Sequence, residues 1–176
     1  DQLPNVVASS AFNSICLGDS VLISASGALN YQWGNGVQIS NQYVSPTTIG
    51  NNSYIVTGSD VNSCSNSDTV NVLVNSLPIA QVSASDTNIC INDTITLLSS
   101  AASNYQWNNG STSQSQTLIL GNAGTTIFTV TIFDNNSCSA TDSVIVNVNN
   151  NPTISVSANN NNICLLYTSD AADDSQ

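Results

Sequence analysis

The sequence predicts an all-β protein built of tandem β-sandwich domains, and three observations support this prediction. Glu, Lys, Arg and Met are absent, while Val, Ile, Thr, Ser and Asn, which are poor helix formers and in part good strand formers, dominate. Apolar and polar residues alternate in short runs separated by Asn, Asp, Gly and Pro, as in half-buried strands. The whole pattern returns at a constant step in residue number, from Cys16 to Cys90 for example (90 − 16 = 74), which is typical of a repeat protein.

Charge excludes several classes of partner. All 11 acidic residues are Asp, there are no cationic side chains, and the net charge is −11. Such a chain repels phosphate backbones and anionic membrane surfaces, so nucleic acid is excluded as a partner. No apolar run approaches the roughly 18 residues that a membrane span needs, so direct membrane insertion is not expected either.

The repeat needs no insertion or deletion. Residues related by the same step are Pro4, Pro78 and Pro152; Tyr31-Gln32-Trp33 and Tyr105-Gln106-Trp107; Cys16, Cys90 and Cys164; Cys64 and Cys138. We therefore expect one unit at 4–77 (repeat 1), a second at 78–151 (repeat 2) and the start of a third at 152–163. Residues 1–3 match the end of a unit, so we expect the sequence to be a piece of a longer array.

The third unit loses register after Cys164. From there the string CLLYTSDAAD resembles the translation of a transposon-end adapter used in sequencing libraries. We therefore interpret 164–176 as a non-native tail, with a natural C-terminal tail as the alternative.

Within each unit the apolar alternation predicts five strands. In chain order they are Val21–Ala25 with Ile95–Leu98; Leu29–Trp33; Gln42–Ser45 with Thr117–Leu120; Tyr54–Gly58 with Phe128–Ile132; and the run Val70, Val72, Val74 with Val144, Val146, Val148. Asn35-Gly36 and Asn109-Gly110 follow the Trp strands and predict tight turns with positive φ. Short strands at this spacing predict a β-sandwich.

The cysteines predict covalent staples, because a sandwich as short as one unit has a small core. We pair Cys16 with Cys64 and Cys90 with Cys138, one disulfide per domain, each closing a loop worth about 4 kcal/mol in the chain-entropy model. A metal site is the weaker alternative, since no CxxC pair and no His are present. Free buried thiols are the other alternative. Disulfides indicate an oxidising compartment and hence export.

Trp33 and Trp107 lie on the third strand of their units. A Trp at this place in a sandwich is typically the central core residue, so we assign both to the core. The alternative is a platform on which a sugar stacks.

Five motifs, each present in both units, carry a resemblance to a known family. The strings ICxxD[ST], YQW followed by NG, [YF]xVT and DxNxCSxxD[ST]V, with the closing Val-alternating strand, resemble the Ig-like or PKD-like tandem repeats of secreted, surface-attached Bacteroidota proteins. The resemblance implies tandem Ig-like β-sandwich domains and an extracellular or cell-surface location. It also implies a stalk, filament or adhesin whose partners are neighbouring repeats or copies of itself.

Four triplets of the form Asp-[Ser/Thr]-aliphatic resemble the O-glycosylation acceptor of the same bacterial group. The resemblance implies covalent glycans at Ser20, Thr69, Thr94 and Ser143. Alternation places these side chains outward if the following aliphatic residue points inward. The alternative is that Asp-Ser/Thr only ends a turn and begins a strand.

The Asp60 and Asp134 turns, with Asp68 and Asp142 nearby, have oxygen ligands that suit Ca²⁺. Asx-turn chemistry is the better explanation, because the loop lacks the length, Gly and terminal Glu of an EF-hand. We therefore assign no metal and no cofactor. Catalysis is also not expected, since no His or Lys is present as a base and the Asp residues recur at repeated turn positions; an aspartate-pair hydrolase is the alternative.

The sequence therefore predicts an extracellular structural repeat protein that forms a stalk or filament at a bacterial cell surface. The alternative is an adhesin or carbohydrate-binding module that uses the Trp strand or the end loops. The alternative predicts exposed indole rings beside a groove, whereas the structural role predicts buried rings.

Overall fold

The structure is a computed structural model that describes residues 2–157. Within that range the regular secondary structure consists of β-strands alone. Repeat 1 contains β1 Val7–Ser10, β2 Ser14–Cys16, β3 Val21–Ser26, β4 Asn30–Trp33, β5 Asn41–Val44, β6 Gly50–Ser59 and β7 Ser65–Asn75. Repeat 2 contains β8 Val82–Ala84, β9 Asn88–Cys90, β10 Thr94–Ser99, β11 Asn104–Trp107, β12 Ser115–Ile119, β13 Gly124–Phe133 and β14 Ser139–Asn149.

Each repeat has two facing sheets with the same strand order. In repeat 1 these are β1-β3-β5 and β2-β7-β6-β4, and in repeat 2 they are β8-β10-β12 and β9-β14-β13-β11. All pairings are antiparallel except β2 with β7 and β9 with β14. The N-terminal segment thus contributes one strand to each sheet. This order is that of an Ig-like sandwich, so the predicted all-β, Ig-like fold class is confirmed.

Each sandwich has its own hydrophobic core, built by alternation along the strands. In repeat 1 the core includes Val21, Ile23, Trp33, Val56, Val72 and Val74; in repeat 2 it includes Ile95, Leu97, Trp107, Val130, Val146 and Val148. Residues at alternate positions share one face of a strand, so the inward set packs between the sheets while the intervening polar residues face water.

The strands differ from the sequence prediction mainly near the N-terminus of each repeat. The short strands β1, β2, β8 and β9 were not predicted, because three or four residues are too few for alternation to be recognised. Strands β6, β7, β13 and β14 begin several residues before the predicted runs, because these first residues are mostly polar and show no apolar alternation.

The Asn-Gly turns form as expected after the Trp strands. The backbone N–H groups of Gly36 and Gly110 donate to the carbonyls of Trp33 (2.8 Å) and Trp107 (3.0 Å). Only the glycine of each pair has positive φ, 88° and 87°. This is a type I turn closed by a left-handed glycine rather than a turn with two positive-φ residues.

The repeats are joined by a six-residue segment between Asn75 and Val82 that includes Pro78. None of the described residues belong to a helix with the length and apolarity needed to cross a membrane. The predicted tail at 164–176 and the second half of the predicted third unit lie outside the described residues.

Candidate functional site

Cys16 stands at the end of repeat 1 from which the chain leaves. It is the last residue of β2, which runs parallel to β7 and places Cys16 opposite Asn75. The Leu17 N–H extends this pairing by donating to the Asn75 carbonyl (2.9 Å). The next turn is closed by the Cys16 N–H, which donates to Asp19 Oδ2 (3.1 Å), and by the Asp19 N–H, which donates to the Cys16 carbonyl (3.0 Å). The pairing with β7 and the hydrogen bonds with Asp19 therefore fix the backbone position of Cys16.

Cys138 lies in the β13–β14 turn, at the end of repeat 2 that the chain enters. Oδ1 of Asp134 accepts the N–H groups of Asn136 and Cys138, both at 2.8 Å. The Asp134 N–H in turn donates to the Cys138 carbonyl (2.9 Å), and Ser137 adopts a left-handed φ of 64°. One carboxylate thus organises the turn that presents the Cys138 sulfur.

A disulfide joins these two cysteines across the boundary between the repeats. The Cys16 and Cys138 Cα atoms are 5.5 Å apart, a normal distance for a disulfide, and the residues are separated by 122 positions. Within residues 2–157, no hydrogen bond connects residues of repeat 1 with residues of repeat 2. Besides the polypeptide connector, the disulfide is the covalent link between the two repeats.

This bond corrects the predicted pairing of Cys16 with Cys64 and of Cys90 with Cys138. In the described part of the chain Cys64 and Cys90 have no sulfur partner. The reason is the length of β7: Cys64 directly precedes its first residue, whereas Cys16 lies opposite its last. The ten rises from Ser65 to Asn75 alone span about 33 Å, far beyond disulfide reach.

Trp33 and Trp107 are core residues, as assigned from the sequence. Each has only 2% of its surface exposed, and each indole N–H donates to a carbonyl, Trp33 to Ile39 (2.9 Å) and Trp107 to Ser113 (2.8 Å). A sugar cannot stack on a ring that is packed between sheets, so the version of the adhesin alternative that uses the Trp strand is wrong.

The Asp residues of two Asp-[Ser/Thr] triplets connect the sheets. Asp68 Oδ2 accepts the Ala8 N–H, and Asp142 Oδ2 accepts the Val82 N–H, both at 2.8 Å. In each repeat, the last strand (β7 or β14) is therefore hydrogen-bonded through an Asp side chain to the first strand (β1 or β8). The backbone hydrogen bonds from Ala8 and Thr69 lower the pKa of Asp68, because they stabilise the ionised carboxylate.

The hydroxyl side chains of the four triplets point outward. Ser20, Thr69, Thr94 and Ser143 are all exposed. Ser20 is hydrogen-bonded to the Ser45 hydroxyl (2.8 Å). The geometry leaves room for a covalent group at each position, and glycosylation itself stays a prediction.

The carboxylates of Asp60 and Asp134 accept hydrogen bonds from backbone N–H groups of their own turns. Asp60 Oδ1 accepts the N–H groups of Asn62 (2.8 Å) and Cys64 (2.9 Å), as Asp134 does in repeat 2. These are the Asx-turn bonds that the sequence favoured over a calcium site. Among residues 2–157 no three Cys or Asp side chains are grouped closely enough to hold a metal ion.

No protein-family model and no curated protein matches the chain. The chain is similar to solved structures of the Clostridium thermocellum CbhA fibronectin(III)-like modules, with 14% identity over 82% of this chain and 95% of that chain, at a TM-score of 0.41. It is also similar to murine CEACAM1b, with 11% identity, 82% and 100% coverage and a TM-score of 0.38. With TM-scores below 0.5, these similarities add nothing to the fold that the strand order shows.

Proposed function

We propose that the chain is an extracellular structural repeat protein that serves as a stalk or filament at a bacterial cell surface. The observation that carries the proposal is the Cys16–Cys138 disulfide, because it fastens one repeat to the next rather than bracing a single core.

The position of the bond determines how tension travels through the chain. Force applied at the N-terminus passes along β1 and β2 to Cys16, crosses the two sulfurs to Cys138 and continues along β14. Residues 17–137 form a closed loop outside this path. Both hydrophobic cores belong largely to that loop, so a pull on the ends cannot extend most of either sandwich while the disulfide is intact.

The compartment and the surface agree with this role. Disulfides persist in oxidising environments such as the periplasm and the cell exterior. The net charge of −11 favours solubility. The exposed hydroxyls of Ser20, Thr69, Thr94 and Ser143 offer sites for protective glycans. The bacterial source is inferred from the repeat motifs.

Single-molecule pulling from the two termini tests the load path. Reduction should release the loop between Cys16 and Cys138 and lengthen the fully extended chain by about 400–440 Å, since each of the 122 residues contributes about 3.3–3.6 Å. The double variant Cys64→Ser, Cys90→Ser is the matched control and should behave as the parent does. Equal extended lengths before and after reduction would contradict the proposal.

A further inference from the structure

Two cysteines of the described chain are each the repeat-equivalent of a bonded one. Cys64 occupies in repeat 1 the position that Cys138 occupies in repeat 2 (64 + 74 = 138), and Cys90 occupies in repeat 2 the position of Cys16 in repeat 1 (16 + 74 = 90). Neither has a sulfur partner within residues 2–157. The entry end of repeat 1 and the exit end of repeat 2 therefore carry the two complementary halves of the bond that joins the repeats.

Cys90 is held as Cys16 is held. Its N–H donates to Asp93 Oδ2 (2.9 Å), and the Asp93 N–H donates to the Cys90 carbonyl (3.1 Å). The Ile91 N–H donates to the Asn149 carbonyl (2.9 Å), the counterpart of the bond from Leu17 to Asn75. Cys90 thus stands at the exit end of repeat 2 in a preformed geometry.

Cys64 is held as Cys138 is held. The Cys64 N–H donates to Asp60 Oδ1 (2.9 Å), and the Asp60 N–H donates to the Cys64 carbonyl (3.0 Å). Ser63 has a left-handed φ of 68°, close to the 64° of Ser137. The turn that presents the Cys64 sulfur is therefore formed even though Cys64 has no disulfide partner within residues 2–157.

The Cys64 and Cys138 turns differ in solvent exposure. Cys138, which faces the end of repeat 1, is only 1% exposed, whereas Cys64 is partly exposed. Beside Cys64, the end of repeat 1 also exposes two large apolar side chains, Leu29 at 61% and Val61 at 78%. An accessible thiol set among uncovered apolar residues is suited to contact the end of another repeat.

We propose that Cys90 of one chain forms a disulfide with Cys64 of a second copy, equivalent to the Cys16–Cys138 disulfide between the repeats, so that copies join head to tail. The contact uses two different surfaces, so it leaves both a Cys64 end and a Cys90 end open after every addition. Such a heterologous contact builds an open polymer rather than a closed dimer. The inference rests on the proposed function only for the oxidising compartment.

The bond forms by two thiol–disulfide exchanges with a small disulfide such as oxidised glutathione. The Cys90 thiolate attacks one sulfur of that molecule and releases one reduced thiol. The Cys64 thiolate of the second copy then attacks the Cys90 sulfur and releases the other. Two protein thiols are oxidised to one disulfide, and the two electrons and two protons leave on the two small thiols.

The resulting polymer would have a short covalent load path. Through each copy the path runs only from Cys64 to Cys90, along β7, the connector, β8 and β9. The segments 17–63 and 91–137, which hold most of both sandwiches, lie outside it in the loop that the Cys16–Cys138 disulfide closes. An array bonded in this way would resist extension even where a sandwich unfolds.

Two complementary variants test the inference, each in the full chain with Cys164→Ser to remove the one thiol outside the described residues. Cys64→Ser retains the Cys90 half and Cys90→Ser retains the Cys64 half. Each is oxidised with glutathione alone and in an equal mixture at about 1 mM, which is comparable to the effective concentration that a short linker provides. We expect a covalent dimer only in the mixture, and a longer ladder for the chain that has both thiols.

Peptide mapping identifies the bond. After thiols are blocked, cleavage before Asp places the four cysteines on separate peptides that begin at Asp1, Asp60, Asp86 and Asp134. The expected products are the 60–67 peptide linked to the 86–92 peptide and, as evidence of folding, an intact Cys16–Cys138 link. Dimers of either variant alone, or no dimer in the mixture, would overturn the inference. Neither result would affect the pulling test of the load path, so the two proposals fail separately.

Discussion

At the scale of single residues, the two cores reach the same shape with different side chains. Gly58 faces Val6 in repeat 1, whereas the equivalent positions in repeat 2 hold Ile132 and Ala80 (58 + 74 = 132; 6 + 74 = 80). A Cβ atom on Gly58 would lie 2.6 Å from both a Val6 methyl and the Ala28 Cβ. The larger side chain of the pair lies on the segment before β1 in repeat 1 and on β13 in repeat 2, so the same part of the core is filled from different elements.

This exchange predicts strong coupling between positions 6 and 58. Gly58→Ile should overpack repeat 1 and lower its free energy of unfolding by about 1–3 kcal/mol. Val6→Ala alone should also destabilise, because it leaves a cavity. The double variant, which copies the repeat 2 arrangement, should lose less than the sum of the two. Urea unfolding of all four proteins measures the coupling, and additive losses would show that the two side chains pack independently.

Asp68 predicts an acid-sensitive component of stability. Its pKa is lowered in the folded chain, so its contribution is present above the ordinary carboxyl range and is lost as pH falls through the lowered value. Asp68→Asn should therefore be less stable than the parent at pH 7, and the gap should narrow below about pH 4, the usual range of an Asp carboxyl. Urea midpoints at pH 7 and pH 3 give the comparison. If the difference in urea midpoint between the variant and the parent does not change with pH, the charge of Asp68 does not cause the loss of stability.

At the scale of elements, alternation predicted the long inner strands but not the short outer ones. The strand that contains Val70, Val72 and Val74 could be predicted, because three apolar residues recur there at a period of two. Strand β2 has only three residues and a single buried one, Ile15, so nothing in the sequence distinguishes it from a loop. Yet β2 carries Cys16, and its parallel pairing with β7 decides which end of the sandwich that cysteine occupies.

The Asx turn before β14 is the element that positions Cys138, and Asp134→Ala tests it. The variant loses the carboxylate acceptor of two backbone N–H groups, bonds to a charged group worth about 1.5–3 kcal/mol each. We expect a smaller fraction of the Cys16–Cys138 disulfide at a fixed glutathione ratio, measured by thiol alkylation and mass spectrometry. Asp60→Ala removes the same two bonds from repeat 1 and is the matched control. An equal loss of disulfide in both variants would indicate general destabilisation instead.

At the scale of the whole molecule, periodicity explains why the disulfide pairing was predicted wrongly. Cys64 and Cys138 are one repeat step apart, so as partners for Cys16 they occupy the same place within their units. The sequence therefore indicates which cysteine positions form a disulfide, but not whether the bond lies within one repeat or between two. The distinction depends on which end of the sandwich each one occupies, and that is a property of the three-dimensional fold.

The bond between repeats predicts that stability is shared along the chain. Cys16→Ser with Cys138→Ser should lower the free energy of unfolding by up to about 5 kcal/mol, the chain-entropy value for a loop of this length, and should let the two sandwiches unfold independently. Cys64→Ser with Cys90→Ser removes as many sulfurs and should leave the dilute, monomeric chain unchanged. Calorimetry distinguishes one coupled transition from two separate ones. If both double variants melt as the parent does, the disulfide does not couple the repeats, and tension would have to pass through the connector alone.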